Sequence, residues 1–154
     1  MYDRILVPLD GSTVAEQVFP HVIPLAEKFN SDVTLMKSIL PQIQNYPLPS
    51  LPALEPFEIT VDVRHDMADE ILVAKDYLIS VGIQLQRLGV NCTGHISEGD
   101  AASTILGYAK SGDFFLIAMA APRRSRTVRV ALGSVADTIC RRSEVPVLLV
   151  RAKQ

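Results

Sequence analysis

The chain has 154 residues, of which 48% are apolar and 21% are charged, and its formal net charge is −2. This length suits a single domain spanning residues 1–154, and the apolar fraction excludes an intrinsically disordered chain. The near-neutral charge gives no global reason to expect binding to nucleic acid or to an anionic membrane. No apolar run approaches the roughly 20 residues that cross a bilayer, and the first residues lack a signal-peptide pattern, so the sequence predicts a cytoplasmic protein.

The start of the chain predicts a buried strand followed by a helix. Residues 4–7 form a short apolar run that a proline and turn residues end, as is typical of a strand buried on both faces. Thr13 and Glu16 have the spacing of a capping box, and apolar residues then recur at helical spacing as far as Phe29. We predict one helix, kinked near Pro20, because an interior proline removes a ladder hydrogen bond.

The next third predicts a strand, a long loop and a long helix. Residues 33–39 read as a second strand, whereas residues 41–58 hold five prolines and predict a surface loop. This loop is either a lid or a variable insertion without a function. From residue 66 the apolar residues recur at steps of four and three, and Gly89 supplies the stop of a long helix. Its apolar face comprises Met67, Ile71, Ala74, Leu78, Val81, Leu85 and Leu88.

The last third repeats the alternation of strand and helix. Residues 91–97, 114–119 and 147–150 predict the third, fourth and fifth strands. Asp100 is placed to cap a short helix, and residues 132–140 supply the inner face of a last helix. Because the strands are apolar runs rather than period-two patterns, the sequence predicts an α/β fold. It is an open parallel five-stranded sheet with right-handed crossovers and helices on both faces.

The start of the last helix has the features of an anion site. A helix start at Gly133 and Ser134 offers unpaired N–H groups and the positive end of the helix dipole. The loop before it contains Arg123, Arg124, Arg126 and Arg129. Guanidinium groups can bind phosphate oxygens in pairs, but these arginines are equally interpretable as solvated charges or as contacts to a partner. No aromatic residue interleaves with them, so specific nucleic-acid binding is not indicated.

Little in the sequence points to catalysis or to a metal. It contains no G-x-S-x-G, HExxH, Walker A or CxxC motif, and we predict no catalytic residue. His21 and His95 are expected to be structural, and His65 to be solvated at the end of the proline-rich loop. Cys92 and Cys140 are expected to be free, buried thiols in a reducing compartment.

Three segments in the same order and spacing resemble the universal stress protein (UspA-like) family. They are the opening residues 1–12, the segment 97–102 that contains Gly99-Asp100, and residues 132–136 with 145–150. The resemblance covers the chain except the proline-rich loop. It implies an adenine nucleotide alpha hydrolase-like fold with strand order 3-2-1-4-5, a homodimer formed through the last strand, and binding of ATP or a related adenine nucleotide such as AMP.

The implied strand order predicts where a ligand binds. The order reverses direction between the first and fourth strands, and ligands of open parallel sheets bind at the carboxyl ends of the strands at such a point. The resemblance implies that Asp10 meets the adenosine portion of the nucleotide, although its carboxylate is also placed to cap Ser12 or Thr13. Ser134 is expected to donate to a phosphate, to cap the helix, or to do both. The predicted nucleotide-binding residues are Pro8, Leu9, Asp10, Met119, Ala120, Arg123, Gly133, Ser134 and Val135.

The phosphate loop departs from the family pattern of Gly, two residues, Gly, nine residues, Gly-Ser or Gly-Thr. Counting back from Gly133 places Arg123 and Ala120 where the family has glycines. A bulky residue disfavours positive φ by roughly 1–2 kcal/mol, so the loop is expected to follow another path. Two functions follow: a non-catalytic stress-response regulatory or signalling module that binds an adenine nucleotide weakly or through a remodelled arginine-rich loop, or a dimeric protein-interaction module that has lost nucleotide binding. Slow ATP hydrolysis is a less favoured third function.

Overall fold

The structure is a computed structural model that describes residues 3–40, 57–122 and 132–153. Its strands are β1 (Arg4–Pro8), β2 (Asp32–Ile39), β3 (Ile59–Asp62), β4 (Cys92–Glu98), β5 (Leu116–Ala121) and β6 (Val147–Arg151). Its helices are α1 (Thr13–Glu16), α2 (Phe19–Phe29), α3 (Ala68–Arg87), α4 (Ala101–Ser111) and α5 (Ser134–Arg142).

The strands form one parallel sheet in the order β3-β4-β2-β1-β5-β6. Five of them reproduce the predicted 3-2-1-4-5 arrangement, with β1 between β2 and β5. The prediction of five strands was wrong by one, because β3 pairs with β4 at the edge of the sheet. The four residues of β3 are half-buried or exposed and form no apolar run. Their signal was instead the alternation of apolar and polar residues over 58–63, which sequence reasoning interpreted as the end of the proline-rich loop.

Helices cover both faces of the sheet, as predicted. On one face, Val22 of α2 and Leu78 of α3 pack with the buried side chains of β1 and β2. On the other face, Ile105 of α4 and Ile139 of α5 pack against Ile117 of β5 and its neighbours. Strand side chains alternate between these two cores because successive residues of a strand point to opposite faces.

The segment predicted as one kinked helix is two helices, α1 and α2. Pro20 lies in the first turn of α2, where its missing N–H is not needed, so the chain begins a new helix instead of bending an existing one. The capping-box prediction was also wrong. Ser12 rather than Thr13 caps α1 by accepting a hydrogen bond from the amide of Ala15 at 3.2 Å, and Glu16 bonds elsewhere.

The long helix α3 ends where the sequence predicted, and Gly89 follows it with φ +83°. A left-handed residue at this position is the usual end of a helix and favours glycine. The last member of the predicted apolar face was wrong, since Leu88 is 64% exposed. The helix ends at Arg87, so Leu88 no longer continues the buried stripe.

The first described residue after the proline-rich region, Phe57, has a buried side chain. Phe57 is 2% exposed and belongs to the core beneath α3. A Cβ atom on Gly82 would lie 2.3 Å from the Phe57 ring, and one on Gly94 would lie 3.0 Å from it, so these two glycines leave the space that the ring fills. Within the predicted surface loop 41–58, Phe57 is therefore buried and not at the surface, and residues 41–56 lie outside the described residues.

The two cysteines differ in environment. Cys92 is 3% exposed, and burial raises the pKa of its thiol to about 11. Cys140 is exposed on the solvent side of α5, which corrects the expectation that both thiols are buried. Both cysteines are free.

Candidate functional site

A cleft opens at the carboxyl ends of β1, β2 and β5, where the order of the sheet reverses. Its cavity volume is about 290 Å³. The first turns of α4 and α5 form its far wall, and α1 contributes at the near side. The lining residues are Pro8, Leu9, Asp10, Ala15, Met36, Lys37, Ser38, Ala101, Ile105, Met119, Ala120, Ala121, Pro122, Val135 and Ala136.

The cleft brings together most of the residues that the sequence singled out. Those that line it are Pro8, Leu9, Asp10, Met119, Ala120 and Val135. Gly133 and Ser134 stand beside it at the start of α5 without lining the cavity, and Arg123 lies outside the described residues.

Sequence reasoning missed the contribution of β2, namely Met36, Lys37 and Ser38. They could have been found, because the strand order that the family resemblance implies already placed the second strand beside the first. The carboxyl ends of neighbouring parallel strands meet at the same edge of a sheet. It also missed Ala101 and Ile105 of α4, which reach the cleft from the helix that Asp100 caps.

Asp10 is an ionised group at the mouth of the cleft. Its Oδ1 atom accepts hydrogen bonds from the amide of Ser12 at 2.8 Å and from the Ser12 hydroxyl at 2.6 Å. Burial acts to raise the pKa of Asp10, but the bonds from Ser12 and the charge of Lys37 outweigh it and hold the pKa below its usual value. The turn role predicted for Asp10 is confirmed, since its carboxylate accepts from Ser12.

Lys37 stands next to Asp10. Its ammonium group donates a hydrogen bond to the backbone carbonyl of Asp10 at 3.0 Å and lies 5.7 Å from the centroid of the Tyr77 ring. Burial lowers the pKa of Lys37, and the charge of Asp10 opposes this effect. The Tyr77 hydroxyl donates to the Glu16 carboxylate at 3.0 Å, so α1 and α3 are joined beside the same turn.

The start of α5 differs from the prediction. Gly133, with φ +72°, takes the capping position, and Ser134 is the first helical residue with an exposed side chain. A side chain at Gly133 would be strained at this φ, which explains why glycine is retained there. Gly133 has no side chain with which to cap the first turn of α5. The expectation that Ser134 caps the helix was therefore wrong, and its donation to a phosphate remains a proposal.

The lining of the cleft suits a ligand with an apolar portion and few polar contacts. Its walls are mostly aliphatic or thioether side chains, and its polar side chains are those of Asp10, Lys37 and Ser38. In the part of the chain that the structure describes, no three His, Cys, Asp or Glu side chains are grouped closely enough to hold a metal ion. Within the same ranges, no helix has the length and apolar character needed to cross a membrane.

A sequence model of the Universal stress protein family matches residues 1–151. The chain belongs to the universal stress protein family. Among curated relatives, a universal stress protein of Methanocaldococcus jannaschii is 26% identical over 98% of this chain and 83% of its own length. A universal stress protein of Synechocystis is also 26% identical, over 97% of this chain and 98% of its own.

Solved structures of universal stress proteins share the fold. One in complex with cAMP has a TM-score of 0.68 at 16% identity and covers 99% of this chain and 98% of its own. An Arabidopsis thaliana family member with AMP bound has a TM-score of 0.64 at 14% identity, covering 98% and 92% of the two chains. One from Archaeoglobus fulgidus in complex with dAMP has a TM-score of 0.65 at 18% identity, covering 96% and 97%.

The histidines of this universal stress protein lie away from the cleft. His95 is 6% exposed, stacks on Tyr108 with ring centroids 3.9 Å apart, and shares a hydrogen bond of 2.6 Å between its Nδ1 atom and the Thr60 hydroxyl. These contacts fit the structural role predicted for it. The His65 side chain is 73% exposed, as predicted, but its Nδ1 atom contacts the Glu98 carboxylate.

Burial of His95 predicts a loss of stability in mild acid. Burial lowers the pKa of His95, and the charge of Asp62 only partly opposes it. The unfolded chain therefore takes up a proton near pH 6.5 that the folded protein does not, so the free energy of unfolding falls as the pH drops below that value. One such proton gives a slope of at most about 1.4 kcal/mol per pH unit.

Urea unfolding between pH 7.5 and pH 5 measures this slope. We expect His95→Gln to flatten it and the exposed-residue control His21→Gln to retain it. Equal slopes in the wild type and in His95→Gln would contradict the assignment to His95.

Proposed function

We propose that this universal stress protein is a non-catalytic stress-response regulatory module that binds an adenine nucleotide in the cleft at the carboxyl ends of β1, β2 and β5. The observation that carries the proposal is the position of this cleft at the reversal of the sheet, with apolar walls and with Asp10 at its mouth. Family members of the same fold have been solved with cAMP, AMP and dAMP, which supports the choice of ligand.

The proposed contacts follow the predicted site. The base lies against the apolar wall, the ribose meets Asp10, and the phosphates approach the amides at the start of α5, near Gly133 and Ser134. The proposed binding residues are Pro8, Leu9, Asp10, Met119, Ala120, Arg123, Gly133, Ser134 and Val135. Since Ala120 and Arg123 replace glycines of the family pattern, we propose that phosphate binding is weak or uses the arginines instead.

Calorimetric titration with ATP, AMP, cAMP and adenosine tests the proposal. Ribose 5-phosphate is the matched control, because it lacks the base that the apolar wall would contact. We expect saturable binding of AMP and none of ribose 5-phosphate. The absence of heat with every adenine ligand up to millimolar concentration would refute nucleotide binding.

The same replaced glycines support a second function, a dimeric interaction module that has lost the nucleotide and binds a protein partner. A micromolar affinity for AMP would count against it.

Slow ATP hydrolysis is a third function, which is tested by measuring phosphate release above a no-protein control. We expect no such release. If release were observed, its loss in Ser134→Ala would assign it to this site.

We propose that the protein is a homodimer formed through β6. Among the described strands this one lies at the edge of the sheet beside β5, and the side chains of Val147 to Val150 are half-buried. An apolar edge strand exposes unpaired backbone groups and is normally covered. We expect light scattering at micromolar concentration to give the mass of two chains, and Leu149→Lys to give the mass of one. A wild-type protein of single-chain mass would contradict the proposal.

A further inference from the structure

The side chain of Lys37 approaches the cleft from the face of the sheet that α2 and α3 cover. Its neighbours along β2 alternate: Leu35 and Ile39 belong to the core on that face, while Met36 belongs to the opposite core. Ser38 points to the opposite face as well, since its hydroxyl is 2.7 Å from that of Thr104 on α4. The aliphatic part of the Lys37 side chain therefore lies on the face that α3 covers. Its ammonium group extends to the turn that follows the carboxyl end of β1.

The ammonium group of Lys37 ends on the turn that presents Asp10. It donates to the Asp10 carbonyl at 3.0 Å, and a Cβ atom on Gly11 would lie 3.7 Å from the Nζ atom. Gly11 has φ +91°, a conformation that gives the turn its sharp reversal. The Asp10 carboxylate is in turn held by Ser12, so one lysine contacts the backbone of a turn whose side chains are already ordered.

Lys37 could act in the cleft in two ways, by holding the turn that carries Asp10 or by binding a ligand phosphate directly. One donor of Lys37 is already used on the Asp10 carbonyl, and the aromatic face of Tyr77 lies on another side of the ammonium group. In the described lining of the cleft, Lys37 is the one cationic residue, and it stands at the Asp10 end. The geometry thus favours an action on Asp10 over a direct contact with phosphate.

We propose that Lys37 is a positioning residue of the cleft, which holds the turn between β1 and α1 so that the Asp10 carboxylate faces the ribose of a bound adenine nucleoside or nucleotide. This inference rests on the proposed function for its ligand. The hydrogen bond between Lys37 and the turn is present in the protein without ligand, so its effect can be measured in the free protein.

The test in the free protein is amide hydrogen exchange at Ser12 and Ala15, whose N–H groups are bonded within this turn. We expect Lys37→Met to speed exchange at both amides and Lys37→Arg to restore most of the protection. Lys110→Met is the matched control, because Lys110 is exposed and paired with Glu144 elsewhere on the surface. Lys37→Gln is the second variant should Lys37→Met fail to fold. Unchanged protection in the Lys37 variant would overturn the proposal.

The test with ligand compares adenosine with AMP. We expect Lys37→Met to weaken both by the same factor of about ten, the size of one hydrogen bond to a charged group. A loss for AMP with none for adenosine would instead make Lys37 a phosphate ligand and overturn the positioning role. If the wild-type protein binds neither compound, the proposed function fails, while the exchange data still decide whether Lys37 holds the turn.

Discussion

Replacing Asp10 with alanine is expected to weaken AMP binding by about 10- to 100-fold, because a hydrogen bond to a charged group contributes about 1.5–3 kcal/mol. The carboxylate stands at the mouth of the cleft, its pKa is held below the usual value, and it is therefore charged at neutral pH. Asp10→Asn keeps an oxygen for the amide of Ser12 and removes the charge, so we expect a smaller loss. Calorimetric titration with AMP measures both.

A second aspartate of the chain supplies the control for Asp10. Asp100 follows β4, and its Oδ2 atom accepts a hydrogen bond from the amide of Ser103 at 2.9 Å, which caps α4. Asp100→Ala is expected to cost about 0.5–2 kcal/mol of stability as a lost cap while leaving AMP affinity unchanged. Equal affinities of Asp10→Ala and the wild type would remove Asp10 from the site.

Phe57→Ala is expected to lower the free energy of unfolding by about 3–5 kcal/mol, the usual cost of removing a buried aromatic ring. The ring is 2% exposed and fills the space that Gly82 of α3 and Gly94 of β4 leave. Its loss would leave a cavity between the helix and the edge of the sheet. Urea unfolding measures the change, and Leu88→Ala is the control, because Leu88 is 64% exposed.

The contact between Phe57 and Gly82 can be isolated by a double-mutant cycle. A Cβ atom on Gly82 would lie 2.3 Å from the ring, so Gly82→Ala is expected to destabilise the wild type through overpacking. In the Phe57→Ala background the methyl group has room, and the same substitution should cost much less. Additive effects in the double variant would show that the ring does not occupy this space.

The interior of the sheet was predictable because its strands are buried on both faces. A central strand such as β1 is buried along residues 5–8 and stands out in the sequence as an apolar run that a proline ends. The edge strand β3 has no such run, and its signal is the weaker alternation of apolar and polar residues over four positions, directly after a proline-rich stretch. The strand order itself came from the family resemblance.

The candidate site was predictable to the extent that it depends on where strands end. Asp10 and Ala120 follow from the ends of the first and fourth predicted strands, and both line the cleft. The hydrogen bond from Lys37 to the Asp10 carbonyl depends on the conformation of a long side chain at the carboxyl end of β2, which the periodicity of the sequence does not specify. The role of Gly133 at the start of α5 likewise depends on a backbone angle that becomes visible only in the structure.

The difference between the two cysteines gives this chain a built-in labelling position. At neutral pH the thiol of Cys92 is protonated and enclosed, since its pKa is raised to about 11 and the residue is 3% exposed, so it is a poor nucleophile. Cys140 is exposed on α5, the helix that begins beside the cleft. A thiol-directed fluorophore would therefore attach to the unmodified chain at a single site, in the last turn of α5, without any cysteine having to be removed or introduced.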